Sequence, residues 1–304
     1  MLSSRAGRSS AIDASLMHFR PIRPLLKKLC RLDPMCFDAY LNREVELCNN
    51  YFMNPVPLSK IQDTLDKLQP YMDQRTPIDQ MTLRRLKKDV EQNMAIDPYL
   101  GSLALGNIAI LEWDEIGVDK YYKNLLSLRN NSESQSYYGA ALQMLGKFPE
   151  ALEHARIASE ICPTDLSLLR NVISFAINAG SFVLASELCE IYNRRSPEHP
   201  HPVENSIVAA VESIEYAEID EKVIFECNKI AFALLREMKT PYHSTLLQSD
   251  SIEGSVIFFI KVAADLERVY EFDRELGERL FDRVPDFDPS RYWVGFSIED
   301  SSDC

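Results

Sequence analysis

The sequence predicts a mainly α protein: an α-solenoid of stacked helix pairs, with a small C-terminal α+β domain. Two observations carry this reading. Between Glu133 and Pro197 one residue pattern is written twice, 34 residues apart. Beyond about Asp220 the hydrophobic period changes from 3.6 residues to 2, the change expected where helices give way to strands. A third observation sets the class. Hydrophobic residues make up 46% of the 304-residue chain and charged residues 26%, as in ordinary globular proteins. The longest apolar run, Val256–Ile260, is broken by Lys261, far short of the roughly 20 residues that span a bilayer.

The repeat has a mechanical meaning. Gly139, Leu142, Gly146, Phe148, Ala151, Ala155, Ala158 and Pro163 are followed by Ile173, Ala176, Gly180, Phe182, Ala185, Cys189, Tyr192 and Pro197. Gly146 and Gly180 fall where one helix must turn sharply into the next, a place where a residue without Cβ costs least. Phe148 and Phe182 can wedge between the two helices, Ala151 and Ala185 are small where backbones approach, and Pro163 and Pro197 close the second helix. A period of this size is the mark of helix-pair repeats.

This pattern resembles the tetratricopeptide repeat. A degenerate copy precedes the two clear ones: Gly106, Ala109, Tyr122 and Leu125 lie 33 residues before Gly139, Leu142, Ala155 and Ala158. Trp113 stands in place of the turn glycine and Glu115 in place of the wedge aromatic, so this copy departs from the family pattern. The resemblance implies that the first helix of each pair lines a concave groove whose side chains choose a protein or peptide ligand. Mapped onto this chain, those residues are Leu103, Asn107, Ile110 and Leu111, then Ser136, Ala140, Gln143 and Met144, then Arg170, Ser174, Ile177 and Asn178. The family's carboxylate clamp needs basic and Asn residues on successive first helices. Asn107 fits one such position, but Leu103 and Ser174 occupy others, which argues against a chaperone-tail clamp. Arg170 is the charge best suited to a carboxylate, since its planar fork binds bidentately. The alternatives are an internal ion pair for Arg170 with a glutamate of a neighbouring helix, and a groove filled by the chain's own N-terminal helices.

The chain therefore divides into a basic arm over 1–20, N-terminal helices over 21–97, helical repeats over 98–216 and an α+β domain over 220–300. The arm belongs to a stretch with seven Arg and Lys against Asp13 within the first 31 residues. It reads as a solvated flexible arm, a docking arm for an acidic partner, or an organelle transit peptide. Leu25, Leu26, Leu29 and Leu32 form a short helical stripe, and a second helix is expected over about 35–52. Ser59 can cap a third, with Ile61, Leu65 and Leu68 inward. Thr76-Pro77 is a helix start signal, with Ile78, Met81, Leu86, Val90 and Met94 inward. After the proline-rich Glu198–Pro202, Ile207, Val211 and Ile214 mark a helix that can cap the stack. Val223, Cys227, Ile230, Leu234 and Met238 mark another. His243–Gln248 is a weak strand, Ser255–Val262 a strong one, Asp265–Asp282 a helix, and Arg291–Ile298 alternates as a strand.

Charge and motifs exclude some functions. A net charge of −13 repels nucleic-acid phosphates. The seven cysteines include no CxxC pair or metal-ligand spacing, which suits a reduced, cytoplasmic protein. There is no P-loop, GxGxxG, GxSxG or HExxH. His199 and His201 beside Glu198 could touch a metal, but such a pair in a proline-rich linker is more often plain surface. The expected function is a non-catalytic protein–protein interaction module without cofactor, an adaptor, client-specific chaperone or regulatory partner. The alternative is an enzyme with its active site in the C-terminal domain or at the junction, the repeats presenting substrate. The sequence leaves the oligomeric state open.

Overall fold

The computed structural model describes residues 60–250 and 254–298. The expected basic arm and the helices expected near Leu25–Leu32 and over 35–52 lie outside the described residues. The described part belongs to one compact unit, and it is mainly helical with one three-stranded sheet.

Among the described residues ten helices precede the sheet: α1 (Lys60–Gln74), α2 (Gln80–Asn93), α3 (Pro98–Glu112), α4 (Glu115–Leu128), α5 (Ser132–Met144), α6 (Phe148–Ile161), α7 (Leu166–Ala179), α8 (Phe182–Arg195), α9 (Glu204–Tyr216) and α10 (Glu221–Glu237). Helices α3, α5 and α7 begin 34 residues apart, and their partners α4, α6 and α8 begin 33 and 34 apart. Most begin at a short acceptor side chain. Asp79, Asp97, Asp114, Asn131, Asp165 and Asp220 each accept a hydrogen bond from a first-turn backbone N–H. Helix α2 differs from its expected start. It is capped by Asp79 rather than Thr76, so it begins three residues later and turns Met81 outward, 81% exposed.

The turns between paired helices behave as the repeat requires. Gly146 and Gly180 adopt φ of 68° and 83°. Trp113 takes the same left-handed conformation at φ 57°, so the degenerate copy makes its turn without glycine. Phe148 and Phe182 are fully buried, as are Ala151, Ala185, Cys189 and Tyr192.

After α10 come β1 (Tyr242–Asp250), β2 (Ser255–Val262), α11 (Leu266–Arg283) and β3 (Tyr292–Ile298). The strand order is β1-β2-β3; β1 runs antiparallel to β2, and β2 parallel to β3, with α11 as the crossover. One face of the sheet, built on Val256, Phe258, Ile260 and Val262 with Tyr292, Val294 and Phe296, is buried. The other carries half-buried Ile257 and Phe259 and exposed Leu246.

One hydrophobic core runs without a break from the repeats into the sheet. It joins Phe148, Phe175 and Phe182 to Phe232, Tyr242 and Phe258. Phe148 lies 4.4 Å from the Phe232 ring and 5.7 Å from that of Tyr242, and Phe182 lies 6.4 Å from Phe258. No helix among the described residues is long and apolar enough to cross a membrane.

Two predictions follow from this packing. Phe148→Ala should cost about 3–5 kcal/mol, because its contacts come from two sides and the site cannot collapse. Denaturant unfolding checks this, and a loss under about 1 kcal/mol would contradict the packing. Burial pushes the Cys189 thiol up to about 11 and the Cys227 thiol up to about 12. Both should therefore resist iodoacetamide at pH 8 in the folded protein and react on unfolding. Peptide mass spectrometry reads the difference directly.

Candidate functional site

The face that the repeat assigns to a ligand lies along α3, α5 and α7. Its residues do not share one environment. On α5, Ala140 is exposed and Ser136 half-buried. On α7, Arg170 is exposed and Ser174 half-buried, whereas Asn178, two turns on, is buried. On α3, Leu103 and Ile110 are buried in the core, Leu111 is half-buried, and the Asn107 side chain accepts a hydrogen bond from Tyr122 Oη at 2.7 Å.

The split along α5 and α7 has a clear cause. Their C-terminal ends are covered by α10 and β1. Tyr242 Oη donates to the Gln143 carbonyl at 3.1 Å, and Met144 and Ile177 pack against the shared core. Thr245 Oγ1 donates to Asn178 Oδ1 at 2.9 Å, and Asn228 Nδ2 donates to the Asn178 carbonyl at 3.2 Å. Asn178 Nδ2 turns back to the Ser174 carbonyl at 2.9 Å. Tyr292 Oη closes the network on Asn228 Oδ1. Helices α1 and α2, by contrast, pack with α3 around Ile61, Leu68, Leu83 and Ile108.

Among the described residues Arg170 makes no ion pair with a neighbouring glutamate. Its Nη2 donates to Tyr192 Oη at 2.7 Å, with the guanidinium 5.6 Å from the Tyr192 ring centroid. Tyr192 also meets His201, rings edge to face at 5.1 Å. His201 is only 6% exposed, so it is no surface residue, unlike the exposed His199. Its backbone N–H donates to Asn193 Oδ1 at 2.7 Å, while both ring nitrogens are buried without a hydrogen-bond partner among the described residues. Among the described residues no group of three or more His, Cys, Asp or Glu could hold a metal ion.

A charged cluster that the sequence did not single out as a site ties the two parts together. Glu115, in the wedge-aromatic position of the degenerate copy, meets Lys147 Nζ at 2.8 Å and Arg236 Nε at 2.9 Å. Arg236 also donates to the Leu145 carbonyl at 3.3 Å. Burial works against the Glu115 charge, but Lys147 and Arg236 outweigh it and hold the carboxyl below its usual range. Helix α8 gains its missing cap in the same way, since Val183 N donates to Glu221 Oε1 of α10 at 2.9 Å. The only sequence signal was the departure at Glu115 itself.

Elsewhere, a cavity of about 280 Å³ lies between the α9–α10 turn and the α11–β3 loop, lined by Glu218, Asp220, Asp286, Asp288 and Arg291. Asp288 is held below the usual carboxylate range by hydrogen bonds from Ser290, and it pairs with Arg291 at 3.3 Å.

The geometry defines a stack of helix pairs whose candidate face is half covered by the chain's own C-terminal elements. No protein-family model matches the sequence, and no curated protein matches it. Among solved structures the chain is similar to pilF of Pseudomonas aeruginosa, at 14% identity and a TM-score of 0.38, over 75% of this chain and 93% of that one.

The histidines generate a pH prediction. Burial lowers the pKa of His154 and, together with Arg170, that of His201. A histidine held neutral in the fold contributes stability that is present above its unfolded pKa near 6.5 and is lost as pH falls below it. The melting temperature should therefore drop between about pH 7 and pH 5, before the carboxylates titrate. His201→Phe should flatten part of that drop, and an unchanged slope would remove His201 from the account.

Proposed function

We propose that this chain is a protein-interaction module in which tetratricopeptide-like helix pairs present the uncovered half of their ligand face to a protein or peptide partner. The observation that supports this is the division of one helical stripe. Gln143 and Asn178 hold the chain's own α10 and β1, while Ser136, Ala140, Arg170 and Ser174 stay accessible on α5 and α7. Arg170 is steadied by Tyr192 yet keeps donors facing water, so it suits an acidic group or carboxylate of an extended ligand. In this reading Asn107, Gln143, Met144 and Asn178 shape the groove and its closed end, and the partner touches Ser136, Arg170 and Ser174. The domain scheme follows: repeats over 98–216, with the 220–300 region as the element that closes one end of the groove.

The test uses two accessible positions and leaves the closed end intact. Ala140→Arg with Arg170→Ala should leave the melting temperature within about 2 °C, since surface changes of this kind usually alter stability by less than about 0.5 kcal/mol. Partners would be captured from the native host by the wild-type chain and compared by quantitative mass spectrometry. The partners should fall at least tenfold with the double variant. An unchanged set at unchanged stability would place the binding surface elsewhere.

A further inference from the structure

Helix α11 buries one stripe and leaves a second one uncovered. Val269, Phe272, Leu276 and Leu280 face the core. At 100° per residue, Leu266, Tyr270, Asp273, Gly277 and Phe281 share a separate face about 80° wide, adjacent to the buried stripe. Its large side chains are exposed: Leu266 54%, Tyr270 66% and Phe281 63%. Asp273 sits in the middle, and its Oδ1 accepts from Phe296 N on β3 at 2.8 Å. That bond, together with the Asp288 carbonyl on Tyr292 N at 3.0 Å, occupies backbone donors on the free edge of β3. An added strand is therefore poorly served here, whereas a helix could lie along α11.

The sequence of this face reads as its own complement. About a two-fold axis between Asp273 and Arg274, two antiparallel copies of α11 place Leu266 opposite Phe281, Tyr270 opposite Gly277, and Asp273 opposite Arg274. Each pairing is favourable. Leu266 and Phe281 are both apolar. A Cβ built on Gly277 would find nothing within 4 Å, so the notch is open to receive a tyrosine ring. The exposed Arg274 guanidinium meets the half-buried Asp273 carboxylate, whose charge burial disfavours and a cation would favour.

From this complementarity we propose that α11 is a homodimer interface, two copies of the chain packing antiparallel through Leu266, Tyr270, Gly277 and Phe281. The isologous arrangement satisfies every contact twice and leaves no unmatched surface to extend a filament. A single helix pair falls at the small end of stable interfaces, and the chain's charge of −13 adds long-range repulsion. The dimer is accordingly of the weak, micromolar class.

Sedimentation equilibrium of the full chain in 0.15 M salt, from about 1 to about 300 µM, reads the association. The expected result is a shift from 34.8 kDa to twice that mass within this range. Gly277→Lys fills the notch on an exposed helix surface, where a better helix former should hold or raise the melting temperature. It should weaken association at least tenfold. Orientation is read by mixing the single variants Tyr270→Cys and Gly277→Cys under oxidation, which should yield a cross-linked peptide containing both positions. A monomer throughout the range overturns the proposal. So does a dimer indifferent to Gly277→Lys, or cross-linking that joins only like positions.

Discussion

The contact on which the rest of the molecule depends is the close approach of α10 to the turns of the repeat. Gly146 and Gly180 each meet two demands at once. Both need positive φ, and both lie under α10. A Cβ on Gly146 would sit 3.1 Å from Phe232 Cβ, and one on Gly180 would sit 2.9 Å from Ile224 Cγ2 and 3.2 Å from the Ile224 carbonyl oxygen. In a helix-pair repeat the turn glycine is explained by backbone conformation alone. Here a residue with a side chain at either turn would also lift α10 away from Phe148 and open the shared core. Trp113 adopts the same left-handed conformation at φ 57°, so the conformation alone does not demand glycine.

Polar groups then fix where α10 and the sheet come to rest. Apolar contact between rings tolerates sliding, but a buried network of Asn178, Asn228, Thr245 and Tyr292 has few arrangements that satisfy all its atoms. A shift of one residue along α10 would leave the Asn178 carbonyl and Tyr292 hydroxyl without partners in an apolar setting, at roughly 1–3 kcal/mol each. Glu115 works at the rim of the same contact. Its pairing with Lys147 and Arg236 is partly exposed, and such pairs contribute little stability, so its effect lies chiefly in orientation.

Much of this was legible in the sequence because it is local. The 34-residue period placed the paired helices, and alternation at Ser255–Val262 and Tyr292–Ile298 placed two strands nearly to the residue. Strand β1 was faint because only one side of it packs. Tyr242, Thr245 and Leu247 face the repeats or core, while Ser244, Leu246 and Gln248 face out, and the pairing register shifts between Tyr242 and Ser244. The start of α2 was misplaced because Thr76-Pro77 and Asp79 are rival signals, and Asp79 Oδ1 takes the Thr82 N–H at 2.9 Å. The candidate site was half legible for a different reason. Helical spacing says that Arg170, Ser174 and Asn178 share a face, but not what covers it. The covering groups, Asn228 and Thr245, lie 50 and 67 residues away from Asn178, and no periodicity connects them.

The way the face is covered also bears on what the repeats can do. A helix-pair stack that is open along its length can flex, because each pair contacts only its neighbours. In this chain α10 touches the turns after α5 and α7 together, through Phe232 at Gly146 and Ile224 at Gly180. One rigid helix spanning two successive turns opposes any change in the angle between those pairs. The accessible residues Ala140 and Arg170 are therefore held at a set separation, so that in the proposed function a partner that fits pays little ordering entropy on their side. Under the proposed function, closing one end of the groove with the chain's own C-terminal elements shortens the ligand surface, and in exchange it makes what remains pre-organised.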